Sequence, residues 1–152
     1  MQDITIRPVR REDHADWRAL WDGYNAFYGR VGTTALPEAV TARTWERFFD
    51  SAEPVFSLVA EQDGRVTGLA NYLFHRSTSR LSDVCYLQDL YTAEHARGHG
   101  VGRRLIEGVV ERARTAGCCR VYWQTHGENR VARGLYDAIA QHSGFIVYAR
   151  DL

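Results

Sequence analysis

The chain has 152 residues, long enough for one compact domain and too short for two of ordinary size. Its 45% hydrophobic, 25% charged and 12% aromatic residues are those of a globular protein, and no apolar run has the length that crosses a bilayer. Its 19 basic residues, all arginine, balance 19 acidic ones to zero net charge, which argues against a nucleic-acid binder that works by neutralising phosphates.

The chain opens directly into a strand-like Ile4-Thr5-Ile6 pattern without the apolar stretch of a signal peptide, so a cytoplasmic location is expected. Cys85, Cys118 and Cys119 lack metal-ligand spacing, and the adjacent pair cannot form a relaxed disulfide. They read as small hydrophobes in a reducing compartment, and no metal is expected.

In chain order, Ile4 to Arg7 alternates apolar and polar side chains and predicts a strand ending near Pro8. Asp13 is placed as the N-cap of a helix on which Trp17, Leu20, Trp21, Tyr24, Phe27 and Tyr28 recur at helical spacing; Gly29 and Gly32 bracket its exit. A shorter helix follows Pro37 through Trp45 and Phe49. Residues 55–61 and 66–75 read as a hairpin around Asp63-Gly64, a pair that tolerates positive φ. A polar loop then leads to an aromatic-rich strand over 85–92, expected to be central. Val101, Leu105, Ile106, Val109, Val110 and Ala113 define the clearest helix, which stops at Gly117. Residues 121–123 read as a strand, and Asn129 opens a helix carrying Ala132, Leu135, Tyr136 and Ile139. Gly144 is expected to end that helix, and residues 145–148 to form a last strand. The order β-α-α-β-β-β-α-β-α-β in a single domain, 1–152, predicts the α/β (α+β) class. The expected architecture is a mixed, largely antiparallel sheet of about six to seven strands with about four helices on both faces.

Gly98, Gly100 and Gly102 alternate between a strand and the start of the strong helix. Amides at a helix start are unpaired, the dipole is positive there, and glycine lets a phosphate approach the backbone. A turn alone needs one glycine, and three cost entropy. The loop lacks the Lys-Ser/Thr ending of a Walker motif, and Arg103 stands where the dinucleotide fingerprint has its third glycine.

Arg97-Gly98-His99-Gly100-Val101-Gly102 matches the Arg/Gln-x-x-Gly-x-Gly/Ala signature of the GNAT superfamily of N-acetyltransferases. Tyr86-Leu87-Gln88-Asp89-Leu90-Tyr91-Thr92 resembles that family's central strand, and Asn129-x-x-Ala132-x-x-x-Tyr136 before Gly144-Phe145 its last helix and strand. Within the superfamily the sequence most resembles the branch of the spermidine/spermine acetyltransferases and the yeast enzymes that acetylate histones or D-amino acids. The resemblance implies transfer of an acetyl group from acetyl-CoA to a primary amine by direct attack in a ternary complex. The acceptor would be a small-molecule amine, a polyamine, an amino acid or a protein lysine. The pyrophosphate would rest on the amides of residues 97–102, with Arg103 next to them. The pantetheine arm would pair with Leu90, Tyr91 and Thr92, and Asn129 and Ala132 would contact it. Tyr136 would return a proton to the CoA thiolate, a task its ordinary pKa of about 10 suits.

The base is the open position. Gln88 stands where the polyamine branch has Glu, and an amide cannot take a proton there. Asp89 would face the other side of a regular strand unless a bulge re-aims it. His126 is the second candidate, and His75 or Glu128 acting through water are further ones. Tyr24 and Tyr28, one turn apart, could wall an acceptor site with Trp21, with Gln88 as a further substrate residue, or this aromatic stripe could be core. A CoA-binding sensor would keep the loop without needing Tyr136. Family members commonly dimerise, so a homodimer through residues 145–148 is expected; neither nucleic acid nor membrane is expected as a partner.

Overall fold

A computed structural model describes residues 3–152. Strand β1 is Thr5–Pro8, helix α1 His14–Phe27, helix α2 Glu38–Arg47, strand β2 Val55–Gln62 and strand β3 Arg65–His75. Strand β4 is Val84–Thr92, helix α3 Val101–Thr115, strand β5 Val121–Tyr122 and helix α4 Arg130–Ile139. Among the described residues the strands form one sheet of five in the order β1-β2-β3-β4-β5. The first three pairings are antiparallel and β4–β5 is parallel, the mixed arrangement expected from a hairpin followed by a β-α-β unit. The Asp63-Gly64 turn takes φ values of 50° and 75°, which its sequence makes inexpensive.

The sheet sorts its alternating side chains into two layers. Leu58, Ala60, Ala70, Tyr72, Cys85 and Leu87 meet Val101, Leu105, Ile106, Val109 and Ala113 of α3. Val59, Val66 and Leu69 face the opposite way, against Trp17, Leu20, Trp21 and Tyr24 of α1 and Trp45 of α2. Each fully buried aliphatic side chain here contributes about 1.5–3 kcal/mol. The Trp21 indole N–H donates to Thr41 Oγ1 at 3.1 Å, so α1 and α2 are joined by a buried polar contact as well as by packing. Gly68 sits in the middle of β3 directly under the start of α3. A Cβ there would lie 2.8 Å from Val101 Cγ1 and 3.2 Å from the Tyr91 carbonyl.

Several expectations are corrected. The sheet has five strands rather than six to seven, because residues 145–148 join no ladder. Phe145, Ile146, Val147 and Tyr148 are 65–89% exposed and pair with neither outer edge of the sheet, so water rather than a strand serves their backbone groups. Helix α4 ends at Ile139, ahead of Gly144, with Ala140 already extended. Asp13 immediately precedes α1 but does not cap it with its side chain. Instead it accepts the Arg10 N–H at 2.7 Å and a forked pair from Arg7 at 2.7 and 2.9 Å. Strand β4 is interior, but the centre of the sheet is β3.

Candidate active site

The glycine loop is shaped for an anion. Gly98 and Gly100 take φ of 79° and 84°, values that strain any side chain. Gly100 is the N-cap of α3, and the first amide with a helical acceptor is that of Arg104, bonded to Gly100 O at 3.0 Å. The amides of Val101, Gly102 and Arg103 precede it, and the first turn carries no acidic residue that would compete for them. The Val101 side chain is buried core, so only its backbone is available to a ligand. Arg97 folds back: its Nε donates to Thr92 O at 3.1 Å, and its guanidinium lies 5.4 Å from the Tyr91 ring centroid. His99 is exposed, and Arg103 pairs with Glu107 at 3.1 Å.

Beside the loop the sheet opens. Strands β4 and β5 pair at Cys85–Val121 and Tyr86–Tyr122, so among the described residues β4 from Leu87 to Thr92 has no strand partner on that side. A strand edge that is unpaired yet inside a sheet can take an amide-bearing arm as an extra strand. A bulge lies in the same stretch. Asn71 is opposite Asp89 and Tyr72 opposite Leu87, which leaves Gln88 without a partner in the register. The phase of the strand slips there. Leu87 and Leu90, three apart, both pack on the α3 side, while Asp89 turns toward α1.

Asp89 is 8% exposed. Asn71 Nδ2 donates to its Oδ2 at 3.1 Å, and the Tyr24 hydroxyl faces its carboxylate. Burial pushes the Asp89 pKa above the usual carboxylate range, against the opposing pull of Tyr24, Asn71 and the Arg30 charge. Burial first, and the Asp89 charge second, hold the Tyr24 hydroxyl above the usual phenol range; Tyr28 is raised by the same two causes. Two polar atoms behind this group, Asn71 Oδ1 and Ser57 Oγ, are buried without a hydrogen-bond partner among the described residues.

A cavity of ≈ 20 Å³ lies where the sheet opens, lined by Tyr24, Tyr28, Leu87, Gln88, Leu90, Trp123, Gln124 and Tyr136. It brings together the expected acid, Tyr136, Tyr24 of α1 and Tyr28 just past its end, Gln88 and Leu90. Tyr136 packs edge-on against Trp123 at 5.5 Å, and burial raises its pKa. Asn129 caps α4: its Oδ1 accepts the Ala132 N–H at 3.4 Å and its Nδ2 donates to Thr125 Oγ1 at 3.4 Å. His126 lies outside this group. It packs against Tyr28 at 5.7 Å and lines an adjoining cleft of ≈ 630 Å³ that shares Tyr28 with the cavity and is completed by Phe27, Gly29, Glu128, Asn129 and Arg130. His75 bonds the Tyr122 hydroxyl at 2.8 Å, at the far end of β3. Sequence reasoning missed Asn71, Trp123 and Arg30. Of these only Asn71, a polar residue inside an apolar strand, carried a usable signal. Among the described residues no cluster of three or more His, Cys, Asp or Glu side chains could hold a metal, and no helix is long and apolar enough to cross a membrane.

Comparison with known proteins agrees with this geometry. The chain is 34% identical over 150 residues to the D-amino-acid N-acetyltransferase HPA3 of Saccharomyces cerevisiae, covering 97% of this chain and 91% of that one. It is 29% identical to the uncharacterized N-acetyltransferase YhfO of Bacillus subtilis, over 98% of each chain. Its fold superposes on the aminoglycoside N-acetyltransferase AAC(6')-Iy solved in complex with CoA, with a TM-score of 0.82 at 20% identity over 99% of this chain and 96% of that one. The model of the acetyltransferase (GNAT) family matches residues 17–140, most of the chain, from within α1 to the end of α4. The chain belongs to the GNAT family and is an acetyl-CoA-dependent N-acetyltransferase.

Proposed function

We propose that this enzyme acetylates a primary amine by direct attack within a ternary complex, with Asp89 accepting a proton through the Tyr24 hydroxyl and Tyr136 protonating the departing sulfur. The observation that carries this reading is one opening between β4 and β5 that has the Tyr24–Asp89 pair on one side and Tyr136 on the other. A Tyr24 hydroxyl that lines the cavity and faces a buried carboxylate can pass a proton inward without losing its own charge balance. The amine first sheds its ammonium proton to solvent. Its nitrogen then bonds to the acetyl carbon, the carbon–sulfur bond breaks, and the second nitrogen proton moves to Tyr24 as the Tyr24 proton moves to Asp89. Tyr136 gives its proton to the thiolate. Solvent carries the Asp89 proton to Tyr136, leaving amide, CoA thiol and one free proton as the net products. The amides of residues 97–103 suit the pyrophosphate and the open edge of Leu90, Tyr91 and Thr92 the pantetheine arm. The Leu90 or Tyr91 amide would polarise the thioester carbonyl. Asn129 and Ala132, at the start of α4, would contact the same arm.

The test is release of free thiol from acetyl-CoA across a panel of polyamines, amino acids of both hands, aminoglycosides and lysine peptides. Turnover with at least one class is expected; tight CoA binding with no turnover on any would make the chain a sensor instead. In the same assay Gly100→Ala, which forces a side chain onto a φ of 84°, is expected to raise the KM for acetyl-CoA about tenfold.

The proposal extends to a homodimer in a reducing compartment, the cytoplasm. Three unpaired thiols suit that compartment. The exposed row Phe145-Ile146-Val147-Tyr148 is an apolar segment of β-forming residues that a second copy can cover. Light scattering is expected to give twice the chain mass for the full protein and the single mass after truncation following Gly144. A monomeric full-length chain would remove the dimer from the proposal.

A further inference from the structure

Arg30 stands just past the end of α1, and none of the steps above uses it. Gly29, at φ 76°, turns the chain, and the Arg30 N–H bonds back to Asn25 O at 2.9 Å. Its Nε donates to Asn25 Oδ1 at 2.6 Å. Asn25 is itself 5% exposed and anchored by Nδ2 to Trp21 O at 2.9 Å. The guanidinium carbon lies 5.7 Å from the Tyr24 ring centroid and 5.4 Å from that of Tyr28. One edge of the group is therefore fixed by a buried amide and its face is laid over two aromatic rings. Its two terminal nitrogens make no hydrogen bond or ion pair among the described residues. A guanidinium fixed in this way keeps its outer fork for a planar, bidentate partner such as a carboxylate.

Both rings under Arg30 line the cavity, and one of them faces Asp89. A cation and a carboxylate thus flank the same pair of tyrosines without pairing with each other. That arrangement is the complement of a zwitterion whose ammonium and carboxylate sit on one carbon. A polyamine fits it poorly, because its second ammonium meets a fixed positive charge. A lysine side chain within a protein brings no carboxylate to the fork.

We propose that Arg30 binds the carboxylate of a free α-amino acid, which makes amino acids the acceptor class of this enzyme. The proposal rests on the Tyr24–Asp89 side of the cavity being where the acceptor amine is received. It also agrees in class with the acceptors named for the yeast relative HPA3.

The experiment compares phenylalanine of either hand with phenethylamine, the same molecule without its carboxylate, in the wild type, Arg30→Gln and Arg30→Lys. Thermal unfolding of each variant confirms that the fold is kept. The wild type is expected to favour the better hand of phenylalanine by at least about tenfold in kcat/KM, the value of a charged hydrogen-bonded pair. Arg30→Gln is expected to pull that ratio toward one through the amino acid's KM, with Arg30→Lys between them. Calorimetric titration of phenylalanine into the CoA-bound protein reads the same contact without turnover, and Arg30→Gln is expected to weaken binding by a similar factor. Arg30-dependent binding without thiol release would sustain the carboxylate site and overturn the catalytic reading. Turnover of phenethylamine on a par with phenylalanine, or equal losses on both in Arg30→Gln, would overturn the carboxylate site and leave the catalytic reading standing.

Discussion

Asp89→Asn is expected to lower kcat/KM for the amine by about 10²–10⁴-fold, the range a positioned proton acceptor supplies, while leaving the fold at least as stable at neutral pH. The two effects share a cause. Asp89 is nearly sealed from water, and its charge is opposed by burial more than it is supported by Tyr24, Asn71 and Arg30. The amide introduced at position 89 carries no charge to desolvate, and it can donate to Asn71 Oδ1, which otherwise lacks a partner. The sign follows from linkage. The Asp89 pKa is raised in the folded state, so between the ordinary carboxylate pKa and that raised value the folded chain holds the extra proton. Stability from this group therefore falls as pH rises through that window. Thermal unfolding scans on either side of it should show the fall in the wild type and a smaller one in Asp89→Asn. The rate moves the other way. A base must be deprotonated, so wild-type kcat/KM should climb with pH through the raised Asp89 value, later than an ordinary carboxylate would allow. Tyr24→Phe cuts the same relay, so the double variant should lose little more than either single one. Full activity in Asp89→Asn would move the base elsewhere, with His126 the next group to test.

How much of this could be read in the sequence depends on the range over which each feature is decided. The glycine loop, the Asp-Gly hairpin and the α3 stripe are local patterns, and each lies where the sequence placed it. The α1 aromatic stripe is local as a stripe but divided in role: Trp17 and Trp21 pack in the core, whereas Tyr24 and Tyr28 also line the cavity. The bulge at Gln88 is a mismatch between two strands and has no signature in either one. Without it a period of two puts Leu87 and Asp89 on one face, and with it they part. Arg30 follows a helix-ending glycine and reads as loop; only the fold brings it over the two tyrosines. Residues 145–148 have a strand's composition, but a strand exists only where it is paired, and among the described residues they join neither outer edge of the five-stranded sheet.

Tyr136→Phe is expected to reduce kcat by about 10²–10³-fold with a much smaller change in the KM for acetyl-CoA, as befits a proton given only in the transition state. The lost hydroxyl is the only polar atom of that side chain, and the ring it leaves keeps its edge-on packing with Trp123 at 5.5 Å. The substitution therefore isolates the proton from the packing. Burial, with a smaller contribution from Tyr28, holds the Tyr136 pKa above its ordinary value. A general acid must be protonated, so wild-type kcat should stay level through the ordinary tyrosine range and decline only beyond it. In Tyr136→Phe that decline should vanish along with the rate. The leaving group provides a second check. A thioester whose thiol is more acidic than that of CoA needs less help to depart, so it should recover part of the lost rate in Tyr136→Phe and little in the wild type. If both proteins respond alike to such a thioester, Tyr136 positions the arm through its ring and the proton for sulfur comes from solvent.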